Sequence, residues 1–448
     1  MQLIRNFDHI NMSNPNSQAK ISHINNKGQG IAHNRTDDGR ELRIWNALQG
    51  ETISYEVIKR KRNYLEGRTI EILKNKSSYR VTPDDTESFL STSPLQSWSF
   101  EFENKWKQDI YTNKFTDAAI IPQTKEMQYF ANTEEYLYYR NKMEFSFYGH
   151  DEDNRISLAF FKRGSHKGKI PVESSALAEP IINSTAQTIV NWLNTQPVEA
   201  RDLKSLVLRS NGSGKCIAAL FTRKIIEFTN IPNVGKGWKG FHIYYSDPKS
   251  PAAKPTDLLH RFGNDHLTTT INGTKLTFGL HSFFQVNIPV FEQTLEDIAQ
   301  WISPTDNVLD FFSGVGSISL PLHDKFKSAE LIEINAEATS FAQKNINDNA
   351  LQNCIVHTAR SEELSSKISK KHIVLLDPPR EGLHKDLTKT LCEVKPERII
   401  YLSCNPESQI KDVQLLQDDY EVKMVKFYNF FPRTPHVESL VVLDKVLS

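Results

Sequence analysis

The stretch Arg398-Ile399-Ile400-Tyr401-Leu402-Ser403-Cys404-Asn405-Pro406 is an apolar run that stops at a cysteine followed by Asn-Pro. The run reads as a buried strand. Open α/β sheets take their ligands at the carboxyl ends of strands, so Cys404 stands where such a sheet would hold one. A free cysteine taken alone is more often core filler than a reactive group. Its surroundings argue for chemistry. Ile373-Val374-Leu375-Leu376 runs into Asp377-Pro378-Pro379-Arg380, and Val308-Leu309 into Asp310-Phe311-Phe312-Ser313-Gly314-Val315-Gly316. Downstream comes Phe431-Pro432-Arg433-Thr434-Pro435-His436-Val437-Glu438. From about His281 strand-like and helix-like runs alternate, which predicts an α/β fold with a parallel sheet and crossover helices. Helices are expected over Phe291–Ile302 and Ala336–Asn349, and further strands over Glu330–Glu333 and Val437–Leu443. Several polar strand ends in one half of a chain point to one crevice.

A chain of 448 residues implies two or three domains. Lys+Arg and Asp+Glu number 54 each, so global charge names no partner and a nucleic-acid surface has to be local. No apolar run is long enough to span a membrane, and Met1-Gln2-Leu3-Ile4-Arg5-Asn6 has no apolar signal core. The four cysteines, Cys216, Cys354, Cys392 and Cys404, form no CxxC pair. Neither a disulfide framework nor a metal site is expected, and a reducing, cytoplasmic setting is.

Residues 1–16 are polar and Asn-rich, and disorder is expected there. About five short alternating strands follow, from Lys27-Gly28-Gln29-Gly30 through Glu51–Val57 to Gly67–Leu73, which suits a small closed OB-like barrel. Lys59, Arg60, Lys61 and Arg62 lie close to Tyr64, a pattern that suits single-stranded or looped RNA. The plainer reading is a strand edge guarded by lysines. Residues 76–100 are Ser/Thr/Pro-rich and read as a linker, with a short helix from Lys105. Tyr138–Phe147 and Ile156–Phe161 read as a hairpin. Lys162, Arg163, His166, Lys167 and Lys169 follow it as a second candidate RNA face, with a solvated loop as the plain alternative. A helix near 183–195 and strands at Ser205–Arg209 and Cys216–Phe221 complete the middle of the chain.

Asp310-x-x-x-Gly314-x-Gly316 follows a strand, and Glu333 ends the next one. Glycines let backbone approach a ligand, and a carboxylate at that second strand end suits ribose hydroxyls. Ser317-Ile318-Ser319 replaces the third glycine of a pyrophosphate loop. A ligand with adenosine and no phosphate fits better, which points to S-adenosylmethionine. Asp377-Pro378-Pro379 fixes a carboxylate just beyond a strand and removes two donors. Loops of this kind serve methyl transfer to planar nitrogen or ring carbon.

Phe283-Phe284-Gln285-Val286-Asn287, Asp310–Gly316, Asp377–Arg380, Ser403–Pro406 and Pro432–Glu438 together resemble the ordered motifs of the RNA uracil-5 methyltransferase family. Residues 17–75 resemble its TRAM domain, and Tyr139-Arg140-Asn141-Lys142-Met143-Glu144-Phe145 resembles a motif of its central domain. The resemblance implies a Rossmann-like class I methyltransferase domain over 281–448. Ahead of it would stand an OB-like TRAM β-barrel and, over 76–280, a linker and central α+β RNA-binding domain. It implies conversion of a uridine in tRNA or rRNA to 5-methyluridine through a covalent Cys–C6 intermediate. Cys404 would be the nucleophile and Glu438 the base, with Asp377 beside them. Gln285, Phe312, Gly314, Gly316, Ser317, Glu333 and Asp377 would contact S-adenosylmethionine. Many members have Asn where this chain has Ser317. A monomer that binds structured RNA and no membrane is expected.

Many bacterial relatives hold a [4Fe–4S] cluster with cysteines in two segments. Here those read Ser91-Thr92-Ser93-Pro94-Leu95-Gln96-Ser97-Trp98-Ser99 and Val172-Glu173-Ser174-Ser175-Ala176. A cluster needs thiolates, so no iron–sulfur cluster is expected. Two other readings compete. An amino-group methyltransferase working through Asp377-Pro378-Pro379 would leave Cys404 and Glu438 as coincidences. A non-catalytic RNA-binding protein would have no use for them or for the glycine loop.

Overall fold

The computed structural model describes residues 17–84, 90–121, 127–164, 168–232, 235–250 and 253–446. The expected disorder over 1–16, and His166 and Lys167 of the second basic run, lie outside them. The chain divides into two compact units. The smaller comprises Met1–Glu103, Phe161–Gly168 and Arg433–Pro435; the larger holds the rest.

In the smaller unit five strands close a barrel: β1 (Gln18–Ile24), β2 (Gly30–Ala32), β3 (Glu41–Trp45), β4 (Thr52–Arg60) and β5 (Tyr64–Lys74), in the order β1-β2-β3-β5-β4. Alternation puts Ile21, Leu42, Ile44, Ile53 and Leu65 inside. The β4–β5 turn carries Lys61 and Arg62 in solvent, while the Arg43 guanidinium lies 4.0 Å over the Tyr64 ring. The Ser/Thr/Pro-rich stretch read as a linker contributes Leu90, Leu95 and Trp98, all buried. Arg163 departs from the expected RNA face. It is buried, donates to the carbonyls of Leu90 and Ser93, and lies over the Trp45 ring. A guanidinium held by carbonyls and an aromatic face is not offered to phosphate.

The larger unit takes in most of α1 (Phe100–Asp117), an 18-residue helix where a short one was expected, and β6 (Gln128–Phe130). There follow β7 (Lys142–Gly149), β8 (Ile156–Phe161), β9 (Lys169–Val172), α2 (Pro180–Leu193), β10 (Leu203–Ser210), β11 (Cys216–Thr222), β12 (Trp238–Tyr245) and β13 (Asp257–Gly263). They form a seven-stranded sheet, β13-β12-β11-β10-β7-β8-β9, with β7 and β8 paired as the expected hairpin. A separate hairpin, β14 (His266–Ile271) and β15 (Thr274–Gly279), turns at Asn272-Gly273.

The last part alternates as the sequence suggests: α3 (Ile288–Ala299), β16 (Asn307–Phe311), β17 (Ser328–Glu333), α4 (Ala336–Asp348), β18 (Cys354–Thr358), β19 (His372–Leu376), α5 (Lys385–Val394), β20 (Arg398–Ser403), α6 (Pro406–Leu416), β21 (Tyr420–Tyr428) and β22 (Glu438–Lys445). The sheet order is β18-β17-β16-β19-β20-β22-β21-β6. It is parallel from β18 to β20, as the alternating runs suggest, and antiparallel where β22 inserts between β20 and β21. The apolar runs alternate between two cores. Ile373, Leu375, Ile400, Leu402, Leu440 and Val442 face α3 and α4. Val374, Leu376, Ile399, Tyr401, Val441 and Leu443 face α1, α5 and α6. Burial on both faces is why these strands are continuous hydrophobic runs. None of the described helices is long and apolar enough to cross a membrane.

Candidate functional site

The chain winds one way from β16 through β17 and β18, and the other way through β19 and β20. The carboxyl ends of β16 and β19 therefore flank a topological switch point, where such sheets open a crevice. Register lines up these ends. Phe311 pairs with Leu376, and Leu376 with Tyr401. Ser403 pairs with Ser439, so one further step sets Cys404 opposite Glu438. Asp310 and Glu438 share parity with the residues facing α3 and α4, and Asp377 and Cys404 continue the same rows past their strand ends. Four acidic groups thus gather at one sheet end.

Burial, and then that crowding, raises their pKa values. Glu438 is buried with one carboxyl oxygen unpartnered. Burial, then the charge of Asp377, pushes its pKa well above the ordinary carboxyl range. Asp377 is raised to about 7 by burial, with Asp310 adding to it. The half-buried Cys404 thiol is pushed up to about 12, by burial first and then by Glu438 and Asp377. The Arg380 guanidinium opposes both shifts, at the thiol and at Glu438. Cys404 also immediately precedes Asn405, the N-cap of α6, whose side chain accepts from the Glu407 amide. A helix amino end favours an anion there.

The cofactor candidates lie around the same switch point. Phe312 and Gly314 both take positive φ, and the Gly314 amide donates to Glu333 at 3.0 Å. A Cβ built at Gly314 would meet nothing within 4 Å, so the loop leaves open space there. Gly316 differs: its Cβ would strike Leu320 and Leu331, and its bareness serves packing. Ser317 is buried beside it. Glu333 is fixed by the amides of Gly314 and Asn335, with carboxylate lone pairs left to accept hydroxyls. The Gln285 amide reaches Asp377 at 3.5 Å. Asp310 accepts from the Ser319 hydroxyl at 2.5 Å, while its other oxygen and the Ser313 hydroxyl are buried without a partner. Open space at Gly314, orphaned polar atoms and a carboxylate at the second strand end fit an adenosine-bearing sulfonium.

Sequence reasoning gave no positioning role to the groups that hold these residues in place. Asn141 in the β7 motif donates to the Gln285 carbonyl at 2.8 Å. Buried Arg209 donates to the carbonyls of Gly279, Ser282 and Phe284, bracing the segment that carries Gln285. Phe284 stacks on Phe278 at 4.1 Å, which leaves Phe283 exposed. An arginine inside an apolar strand, Leu206-Val207-Leu208-Arg209, was the visible signal for one of these.

Known proteins resemble this chain over most of its length. An RNA methyltransferase of Enterococcus faecalis, itself uncharacterized, is 28% identical over 460 residues, covering 96% of this chain and 97% of its own. A second from Caldanaerobacter subterraneus subsp. tengcongensis is 25% identical over 450 residues, covering 95% of this chain and 98% of its own. The crystal structure of Pyrococcus abyssi tRNA (uracil-54, C5)-methyltransferase with S-adenosyl-L-homocysteine superposes with a TM-score of 0.75 at 20% identity, covering 95% of this chain and all of that one. The family model tRNA (uracil-5-)-methyltransferase matches residues 107–446. The chain belongs to the tRNA (uracil-5-)-methyltransferase family.

Proposed function

We propose that the chain methylates C5 of a specific uridine in structured RNA, tRNA or rRNA, with Cys404 as nucleophile and Glu438 as base, acting as a cytoplasmic monomer. The observation that carries the reading is the β20–β22 register, which sets the thiol opposite the carboxyl with Asp377 one strand away. Gln285, Phe312, Ser313, Gly314, Ser317, Glu333 and Asp377 would hold S-adenosylmethionine, and Gly316 would shape the loop. When bound, that group supplies an electrophilic methyl and a positive sulfonium.

C5 of uracil is a poor nucleophile. The Cys404 thiolate forms a bond to C6, and the displaced π electrons make C5 enolate-like. Once C5 carries the methyl, it still carries its proton. Glu438 takes that proton, the electrons restore the C5–C6 double bond, and the S–C6 bond breaks to return the thiolate. In the free chain burial first, and then the charges of their neighbours, favour the protonated forms of the thiol and the carboxyls. A cation entering the crevice favours the charged forms. Arg380 is the cation the chain itself brings. The barrel serves as a TRAM-like RNA-binding module.

The test uses RNA containing 5-fluorouridine, since fluorine cannot leave as a proton. The unmutated chain should form a protein–RNA adduct stable to denaturing electrophoresis. Cys404→Ala should form none while still binding S-adenosylhomocysteine. Glu438→Gln should accumulate a methylated adduct on ordinary RNA, with turnover down by about 10²-fold or more. Adduct formation by Cys404→Ala would move the nucleophile elsewhere. Full turnover by Glu438→Gln would remove the base assignment.

A further inference from the structure

Two loops meet at the thiol, one after β19 and one after β20, and a set of hydrogen bonds from α6 ties them together. The Asn405 side-chain amide donates to the Arg380 carbonyl at 2.7 Å. Two residues on, Gly382 takes φ +89 and closes a turn through its amide to the Pro379 carbonyl at 3.0 Å. The next amide, Leu383, donates to Asp412 Oδ2 at 3.0 Å. The same oxygen accepts the Tyr401 hydroxyl at 2.7 Å. Gly382 packs so closely that a Cβ there would come within 2.7 Å of Asp412 Oδ2 and 3.2 Å of Ser408. The loop 380–383 is therefore held at its first residue by Asn405 and at its last by Asp412. Both anchors sit on the helix that begins beside Cys404, and Tyr401 belongs to the strand that ends there.

We propose that Asp412, with Asn405, is a positioning residue for the reaction: it fixes the loop 380–383 so that the Arg380 guanidinium stays beside Cys404 and Glu438. Asp412 touches no reacting atom. Its carboxylate oxygen does two jobs, orienting the loop amide and the strand tyrosine, and neither needs a second oxygen. The Arg380 charge opposes the upward shift at both the thiol and the base. A flexible exposed arginine on a loose loop would spend its time in water, where its charge is screened. The pinned loop holds the Arg380 backbone against Asn405, the residue that follows Cys404.

This inference rests on Cys404 as nucleophile, so its test begins with a readout that needs no RNA. Alkylation of Cys404 by iodoacetamide, followed by peptide mass spectrometry, reports the thiolate fraction. Asp412→Ala should slow it about tenfold, the equivalent of one pKa unit. Arg380→Gln should slow it equally, and the double variant should be no slower than either alone, because both remove the same cation. Asp412→Asn keeps one oxygen acceptor and should retain the parental rate. Asn405→Ser keeps a cap for α6 but loses the donation to Arg380, and should behave like Asp412→Ala should that variant fold poorly. Losses that multiply in the double variant, or an Asp412→Asn as slow as Asp412→Ala, would overturn the proposal. A parental chain that alkylates as described but forms no adduct with 5-fluorouridine RNA would instead sink the nucleophile reading and leave the clamp standing.

Discussion

At Asp310 the site has a proton to give up only at a cost. The carboxyl is wholly buried, and burial, with Glu333 adding to it, raises its pKa to about 7 from 3.8. The folded chain then binds this proton more tightly than the unfolded chain does. Stability from the group is full below about pH 3.8 and is lost as pH rises through about 7. Asp310→Asn cannot ionise and keeps an acceptor for Ser319. Relative to the parent it should therefore gain stability between about pH 5 and about pH 8, by about 1–3 kcal/mol, read from denaturant unfolding at the two values. A difference that stays flat with pH would mean Asp310 is already ionised in the fold. The strand-end pattern made Asp310, Asp377, Cys404 and Glu438 legible as neighbours. Asn405 and Asp412 were not, because a loop clamp leaves no periodicity: it depends on which amide a side chain meets in three dimensions.

Helix starts show why some elements were misread. Pro289 and Pro406 stand in the first turns of α3 and α6. The helix expected from Phe291 begins earlier, at Ile288, and α6 was not expected at all. Proline at N1 loses no hydrogen bond and so marks a beginning. The β14–β15 hairpin had a plain signal in Asn272-Gly273, both with positive φ, between alternating runs. The barrel was easier, because five short alternating strands in sequence leave few other closures. The two segments that carry cluster cysteines in many relatives have their own hydrogen bonding here. Ser97 bonds Asn46, and Ser175 accepts from the Leu177 amide at 3.2 Å. Hydroxyls are not iron ligands of this kind, and the four cysteines lie elsewhere in the chain. Protein purified anaerobically should be colourless and hold iron far below one atom per chain by elemental analysis. Stoichiometric iron with sulfide would require a ligand set the sequence does not suggest.

The whole chain has zero formal net charge, so an RNA partner has to be held by local surfaces. The larger unit carries Cys404, Glu438, Asp377 and Arg380, and the smaller carries the barrel. This division predicts a separation of binding from chemistry. Arg60, Lys61 and Arg62 are exposed at one end of the barrel, and Lys59 is half-exposed beside them. Tyr64 is less available than the sequence suggests, because Arg43 covers one face of its ring. The contribution of the turn should then be mainly to phosphates. Replacing Lys59, Arg60, Lys61 and Arg62 with Gln in the full chain keeps side chains of moderate length and removes four positive charges. Affinity for substrate RNA should fall, and the slope of log K against log salt should flatten by about 0.7–0.9 for each phosphate no longer neutralised. At saturating RNA kcat should stay within about twofold of the parent, since uniform binding removed with the charges does not alter the barrier at the thiol. An unchanged salt slope would take the barrel turn out of the RNA interface. A fall in kcat at saturation would tie the barrel to the chemistry, because RNA held only by the larger unit would then be presenting its uridine wrongly to Cys404.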